Sequence, residues 1–323
     1  MMAVAVHDAQ LRRLIETALA ERSGDPVAVT SVERHPFDRA TSYALDLLHV
    51  HLGAGDPLML VIKDFGTSRL PKDDPAARAE REATVYRDLL DGVEAGTPRL
   101  YGVAAHPVRL LLEYVPGATL KRHGLAIWTK AAAWLGAFQA QIVRRREQVD
   151  RCQVLIRHDP AFFAAFALAA RRAIAAFGPA AMRRLAVILD GYDRLVEMMV
   201  DQPRTLVHGS FRPQNIIVST ARDASVRICP VDWELAGLGA PLYDLAFLAE
   251  GFQGADLDRL FAAYLNGLGR PDVVAPREMA FTVDCFRLHK IVKSVSDSVA
   301  LAFRPATIDK LLAMAEDLRD RLG

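Results

Sequence analysis

An asparagine and an aspartate, seventeen positions apart, end two neighbouring apolar runs of this chain. Residues 205–219 read TLVHGSFRPQNIIVS, and residues 228–237 read ICPVDWELAG. A short apolar strand runs into His208 and Gly209, a loop ends in Asn215, and a second apolar strand follows. A third delivers Asp232. An amide oxygen and a carboxylate on adjacent strand ends form an oxygen-ligand pair suited to Mg²⁺. Glu234, two residues on, is placed to add a direct or indirect contact. Far upstream, Lys63 sits in the apolar run LMLVIKDF. An ammonium there can hold the α- and β-phosphates of a nucleotide. The alternative is an edge-strand lysine whose stem lies along the sheet while its charge reaches water.

The surrounding pattern says which elements carry these groups. Residues 8–22 predict an amphipathic helix with Leu11, Leu14, Ile15, Ala18 and Leu19 on one face and Asp8 as N-cap. Residues 27–32, 44–50 and 58–65 predict strands, and the turn 53–57 (GAGDP) joins the last two. A helix is expected over 75–90, with Pro75 near its first turn. Two more strands are expected over 99–103 and 108–113. After Val115-Pro116-Gly117 the pattern becomes mainly helical, over 126–149, 160–177, 180–200, 255–268 and 276 to the end. The strand-loop-strand segment at 205–232 interrupts it.

Composition sets the outer bounds. The chain has 323 residues, 51% hydrophobic and 24% charged, enough for two lobes with an ordinary globular balance. Its net charge of +1 gives no field favouring nucleic acid or an anionic membrane. Three scattered cysteines, Cys152, Cys229 and Cys285, argue against a disulfide framework or a zinc site and suit a cytoplasmic location. No charge-free apolar run reaches about 18 residues, so no membrane span is expected.

These motifs carry a resemblance. The chain resembles the aminoglycoside phosphotransferase and choline kinase family, relatives of the protein kinases, over roughly residues 27–249. HGSFRPQN fits the family's HGDxxxxN at His208, Gly209 and Asn215, and departs from it at Ser210. PVDWE supplies the second metal motif at Asp232. The segment Gly239-Ala240-Pro241-Leu242-Tyr243-Asp244-Leu245-Ala246 fits G-x-P-x-x-D-L-A. The resemblance implies an α+β, bilobal protein-kinase-like fold. Residues 1–113 would form a small β-rich nucleotide-binding lobe and 114–117 a hinge. Residues 118–323 would form a large, mainly helical lobe with the catalytic loop and acceptor site. ATP or GTP and Mg²⁺ are the implied cofactors.

Roles follow from the resemblance, residue by residue. Asn215 and Asp232 are the expected metal ligands. Lys63 would pair with a glutamate of the following helix, with Glu82 preferred over Glu80. Residues 34–42 (RHPFDRATS) stand where the phosphate-covering loop belongs. They contain no glycine, which leaves Thr41 and Ser42 to contact phosphate. Glu113 and Val115, flanking Tyr114, fall where connector backbone would meet the adenine edge. Arg212 would touch the transferred phosphate, His208 would orient the loop, and Asp244 would brace it by accepting backbone N–H groups.

Ser210 occupies the position of the catalytic base. A serine hydroxyl has no useful basicity near neutral pH. Three readings stay open: a transferase that works by positioning and electrostatics, with Glu234 or the substrate as stand-in base; a nucleotide-binding pseudokinase or scaffold; or a serine introduced in place of an aspartate. The acceptor is expected to be a hydroxyl of a small molecule or natural-product precursor. A Ser/Thr of a precursor peptide in a lanthipeptide-type pathway is the alternative, with a partner protein if the chain works in a biosynthetic complex. The basic runs Arg144–Arg146 and Arg171-Arg172 favour an anionic acceptor over a cationic aminoglycoside, or else form solvated helix faces.

Overall fold

The computed structural model describes residues 4–5, 9–37, 42–53, 56–68, 72–105, 108–221, 223–269 and 276–322. The expected roles of Asp8 and Thr41, and part of the turn at 53–57, lie outside the described residues. In chain order the elements begin with β1 (Val4–Ala5), α1 (Ala9–Ser23), β2 (Ser31–Pro36), β3 (Tyr43–His51), β4 (Leu58–Ser68) and α2 (Pro75–Thr84). There follow β5 (Leu100–Ala105), β6 (Val108–Glu113), β7 (Ala118–Thr119), α3 (Leu125–Ile142), α4 (Arg146–Arg151), β8 (Ile156–Arg157) and α5 (Pro160–Ala173). Next come α6 (Gly178–Ile188), α7 (Tyr192–Val200), β9 (Thr205–Val207), β10 (Ile216–Thr220) and β11 (Val226–Pro230). The last are β12 (Gly237–Gly239), α8 (Leu242–Leu248), α9 (Gly254–Leu268), α10 (Pro276–Ser296) and α11 (Pro305–Leu322).

These elements form two compact units. One comprises Met1–Thr119 with Ile216–Leu235, and the other Leu120–Asn215 with Ala236–Gly323. The hairpin β10–β11 and Asp232 therefore fold with the β-rich unit, whereas a single cut after the hinge would place them with the helical residues.

The β-rich unit is a six-stranded sheet in the order β1-β2-β3-β4-β6-β5, with a second sheet β11-β10-β7. Alternation sorts the faces. Leu48 and Val50 of β3, Leu60 and Ile62 of β4 and Leu111 of β6 are buried with Leu11, Ile15, Ala18 and Leu19 of α1. The β7–β10 contact needs Gly117, at φ 142°, because a Cβ there would lie 2.1 Å from the Val218 carbonyl oxygen.

Two expectations for this unit change. The strand expected over 27–32 lies instead at Ser31–Pro36. Val29 is buried and Val27 packs on the core, but pairing with β3 starts at Ser31↔His51. Apolarity marked the core contact, and the polar run SVERHP carries the hydrogen bonds. Accordingly Arg34, His35 and Pro36 are strand residues and not phosphate-loop residues. The helix expected over 75–90 is α2 continued by a π-helical turn, Val85–Leu89.

In the helical unit, α3 and α9 cross closely: a Cβ on Gly136 would meet the Tyr264 carbonyl oxygen at 2.1 Å, and one on Gly267 the Ala133 oxygen at 1.9 Å. A third sheet, β8-β12-β9, links the catalytic-loop strand to the start of α8. The helix expected over 255–268 forms undivided as α9, whereas those expected over 180–200 and from 276 to the end are each divided. Gly191 at φ 76° separates α6 from α7, and Ala302 at φ 49° followed by Pro305 separates α10 from α11. Residues Pro160–Ile188 have the length and mean hydropathy, 1.5, of a membrane-crossing helix. They consist of α5, a 3₁₀ turn Ile174–Phe177 and α6, with Arg171 and Arg172 inside and Gly178 at φ 90° as the break.

Candidate active site

In the β-rich unit the site is built around one buried cation. Lys63 lies on β4, between β3 and β6, and is 6% exposed. Its Nζ stands 2.6 Å from Glu82 Oε2 and also contacts the carboxylate of Asp232. The Phe65 and Tyr43 rings flank it at 4.8 and 5.3 Å. Burial works against the ammonium, but Asp232, Glu82 and Glu234 outweigh it and hold Lys63 protonated well above the ordinary lysine range.

Glu82 reaches this point because α2 is fixed at its start. The Asp74 side chain caps it by accepting the Ala77 N–H at 3.0 Å, and Pro75 opens the first turn. The buried face of α2 then carries Ala79, Glu82 and Ala83, while Glu80 points to solvent. Three- and four-residue spacing thus separates the two candidate glutamates. Burial pushes Glu82 up to about 7, with Lys63 pulling it down.

Asp232 follows β11 with φ 71°, and the turn Trp233–Leu235 follows it. Its side chain is 29% exposed, so it is the open part of the cluster. Glu234 has cationic partners of its own. It is 3% exposed and receives Lys72 Nζ at 2.6 Å and Arg78 Nη1 at 3.2 Å. Arg81 donates to its backbone oxygen at 2.7 Å. Both cations meet Oε1, while Oε2 is buried with no hydrogen-bond partner among the described residues. The roles of Lys72, Arg78 and Arg81 were not foreseen. The one signal was an acid two residues after Asp232 in a run otherwise apolar.

The connector residues have specific partners. Glu113 pairs with Arg227 at 2.6 Å and accepts the Arg99 N–H at 3.1 Å, while its own N–H donates to the Arg99 oxygen at 2.8 Å. Burial raises its carboxyl, but the Arg227 and Arg99 contacts more than offset that and leave it lowered. Val115 is buried. Ser42 precedes β3, and its carbonyl accepts from Ser68 Oγ at 3.4 Å.

In the helical unit, Asp244 in the first turn of α8 is 1% exposed and accepts two backbone N–H groups, from His208 at 2.6 Å and Gly209 at 3.1 Å. Burial pushes its carboxyl up to about 7 and these two bonds pull it down. His208 Nδ1 accepts the Ser210 N–H at 3.3 Å, so the imidazole shapes the turn. Asn215 Nδ2 donates to the Ser210 carbonyl at 3.1 Å and to Ser210 Oγ at 3.4 Å. That use of the nitrogen leaves the amide oxygen as the atom suited to a cation. Arg212 lies with Cζ 5.4 Å from the Phe247 ring centre, its buried Nε without a hydrogen-bond partner among the described residues. Phe211, fully buried, stacks on Trp134 at 5.6 Å and anchors the loop.

The basic runs lie mostly at the surface. Arg144, Arg146, Arg171 and Arg172 are exposed, and Arg146 pairs with Asp150 at 3.6 Å.

A β-rich unit with a buried lysine–glutamate pair, and a helical unit whose aspartate grips an HG turn, define a protein-kinase-like phosphotransferase fold. The sequence model of the phosphotransferase enzyme family matches residues 56–281, and the chain belongs to that family. It is a phosphotransferase with an alcohol group as acceptor. Among solved structures, a GDP complex of an aminoglycoside 2′-phosphotransferase variant is 15% identical with a TM-score of 0.64, over 96% of this chain and 98% of that one. Choline kinase from Cryptosporidium parvum is 13% identical with a TM-score of 0.64, over 90% of each chain. A macrolide 2′-phosphotransferase from Brachybacterium faecium is 18% identical with a TM-score of 0.58, over 95% of this chain and 98% of that one. Comparison with curated proteins finds no match.

Proposed function

We propose that this chain transfers the terminal phosphoryl group of a magnesium–purine nucleoside triphosphate to a hydroxyl of a small molecule. The observation that carries the reading is the buried Lys63 ammonium shared by Glu82 and Asp232. A buried cation with two carboxylates is held charged and oriented, ready for a polyphosphate. The donor set fits the metal: oxygen ligands are what Mg²⁺ takes, and Asp232 is the accessible carboxylate of the cluster. Asp232 would hold the ion, with Asn215 as the second ligand that the motif spacing suggests. When bound, Mg²⁺ would neutralise charge on the phosphates.

The chain's own residues divide the remaining work. Lys63 orients the phosphates, Glu82 orients Lys63, and Asp244 fixes the His208–Gly209 turn that presents Ser210. Arg212 offers a planar cation to the transferred group. The acceptors of the similar structures are an aminoglycoside, a macrolide and choline, which share a free hydroxyl on a small molecule. That common feature supports a small-molecule acceptor over a peptide.

Ser210 supports a second reading. Its hydroxyl accepts from Asn215 and serves the loop. A chain that binds nucleotide without transferring phosphate would show the same contact. Phosphate transfer to a panel of hydroxyl compounds, followed with ATP and with GTP, separates the two. Product formed by the wild type and abolished by Asp232→Asn supports the transferase. Magnesium-dependent nucleotide binding without transfer to any compound supports the scaffold.

A further inference from the structure

Outside this site, the pair β2–β3 brings three histidines around one carboxylate. Glu33 and His35 are two apart on β2, and His49 and His51 are two apart on β3, so each pair projects from one face of its strand. The antiparallel register sets Glu33 opposite His49, Ser31 opposite His51 and His35 opposite Leu47. All four side chains therefore share a face. The other face of the same strands carries Val32, Leu48 and Val50 into the core beneath α1. The Arg34–Asp46 ion pair, at 2.6 Å, pins the two strands together.

From these residues we infer a transition-metal site formed by Glu33, His35 and His49. One ligand atom each of Glu33, His35 and His49 lies within 4.8 Å of the others. His35 Nε2 is 3.6 Å from Glu33 Oε2, His49 Nδ1 is 4.0 Å from the same oxygen, and His51 Nε2 is 3.7 Å from Glu33 Oε1.

Those separations decide between two explanations. They exceed the 2.7–3.2 Å range of a hydrogen bond, so the imidazoles do not simply donate to the carboxylate. Two ligands of one tetrahedral ion at bond lengths near 2.0–2.1 Å stand roughly 3.3 Å apart. The cluster is within small side-chain rotations of that spacing. His35 Nε2 is buried and has no hydrogen-bond partner among the described residues, an orphaned donor atom pointing at the carboxylate. The rings of His35 and His49 already lie 4.8 Å apart, centre to centre.

The donors also name the class of ion. Two imidazoles and one carboxylate suit Zn²⁺, Co²⁺, Ni²⁺ or Cu²⁺, whereas Mg²⁺ and Ca²⁺ take oxygen. The ion would clip β2 to β3. The register Leu45↔Lys63 and Leu47↔Val61 puts Lys63 on this same sheet face, so the clip would stiffen the hairpin beside the phosphate-binding lysine.

The test is titration of the metal-stripped full-length chain with Zn²⁺ in excess Mg²⁺, by calorimetry and thermal melting, with Co²⁺ as an absorbing probe. The expected result is one equivalent of Zn²⁺ bound, a raised melting temperature and a tetrahedral Co²⁺ spectrum. His35→Gln and His49→Gln, which sit on a half-exposed face, should fold normally. Each should weaken Zn²⁺ by at least about 100-fold, more than the 10–100-fold that loss of an outer partner costs. No binding by the wild type, or binding of unchanged affinity in both variants, would overturn the site.

Discussion

Lys63 Nζ and Glu82 Oε2 lie 2.6 Å apart, with side chains 7% and 1% exposed. A charge so buried is stable only while its partners remain. Removing one partner of a buried pair typically costs about 3–5 kcal/mol, and Lys63 keeps Asp232, which favours the lower end. Glu82→Ala should therefore destabilise the chain by about 3 kcal/mol in urea unfolding. It should raise the nucleotide KM, while the exposed neighbour Glu80→Ala should change neither quantity appreciably.

Asp244 accepts two buried amides, those of His208 and Gly209. Asp244→Ala would remove this acceptor from both, at roughly 1–3 kcal/mol each. The expected outcome is a lower unfolding midpoint together with loss of transfer activity. Faster hydrogen exchange at His208 and Gly209, measured below the midpoint, would locate the damage in the HG turn.

Acid should weaken the helical unit through its buried imidazoles. Burial pushes His158 down to about 3, with Lys293 adding to the effect, and burial likewise pushes His289 well below its usual range. The unfolded chain binds protons near pH 6.5 that the folded chain refuses. Stability is thus fully present above 6.5 and falls as pH drops, by up to about 1.4 kcal/mol per pH unit for each histidine. Asp244 opposes this. Burial raises its folded pKa to about 7, so it gains stability as pH falls through 7, by a similar amount. Glu82 of the β-rich unit, also raised to about 7, gains in the same direction as Asp244, so the loss from a buried imidazole is read by comparing the wild type with a variant that lacks it. His158 stacks on Phe162 at 4.2 Å, so His158→Phe keeps an aromatic ring there. Urea unfolding of that variant between pH 4.5 and 6.5 should show a shallower slope than the wild type.

Ser210 supplies loop contacts and no basic group. If positioning alone drives transfer, a carboxylate at this place should speed it. Ser210→Asp is expected to raise turnover, by up to roughly 10²-fold, since general bases contribute 10²–10⁴. Unchanged or reduced turnover, measured at saturating nucleotide and acceptor, would show that another group takes the proton.

Much of this site was legible in the chain. The HG…N and PVDWE spacings place Asn215 and Asp232 at strand ends because apolar runs on either side force short strands. The choice of Glu82 over Glu80 rests on its place one turn before Tyr86, and both of these side chains are buried. What escaped reading came from tertiary demands. Lys72 and Arg78 look like solvated loop and helix charges until Glu234 folds beneath them. The strand Ser31–Pro36 is polar because one face carries the Glu33–His35 pair, so a search for apolar runs found Val27 and Val29 instead. The breaks at Gly191 and Ala302 rest on single left-handed residues within otherwise helical patterns. The hairpin β10–β11 joins the β-rich unit through Gly117 and β7, a two-residue strand too short to signal itself.

The most direct test of the central claim is calorimetric binding of ATP and GTP to the purified chain, with and without Mg²⁺, in the wild type and Asp232→Asn. The account predicts magnesium-dependent binding of at least one nucleotide by the wild type, lost in the variant while its fold is retained. Failure of the folded wild type to bind either nucleotide, or equal binding by the variant, would contradict it.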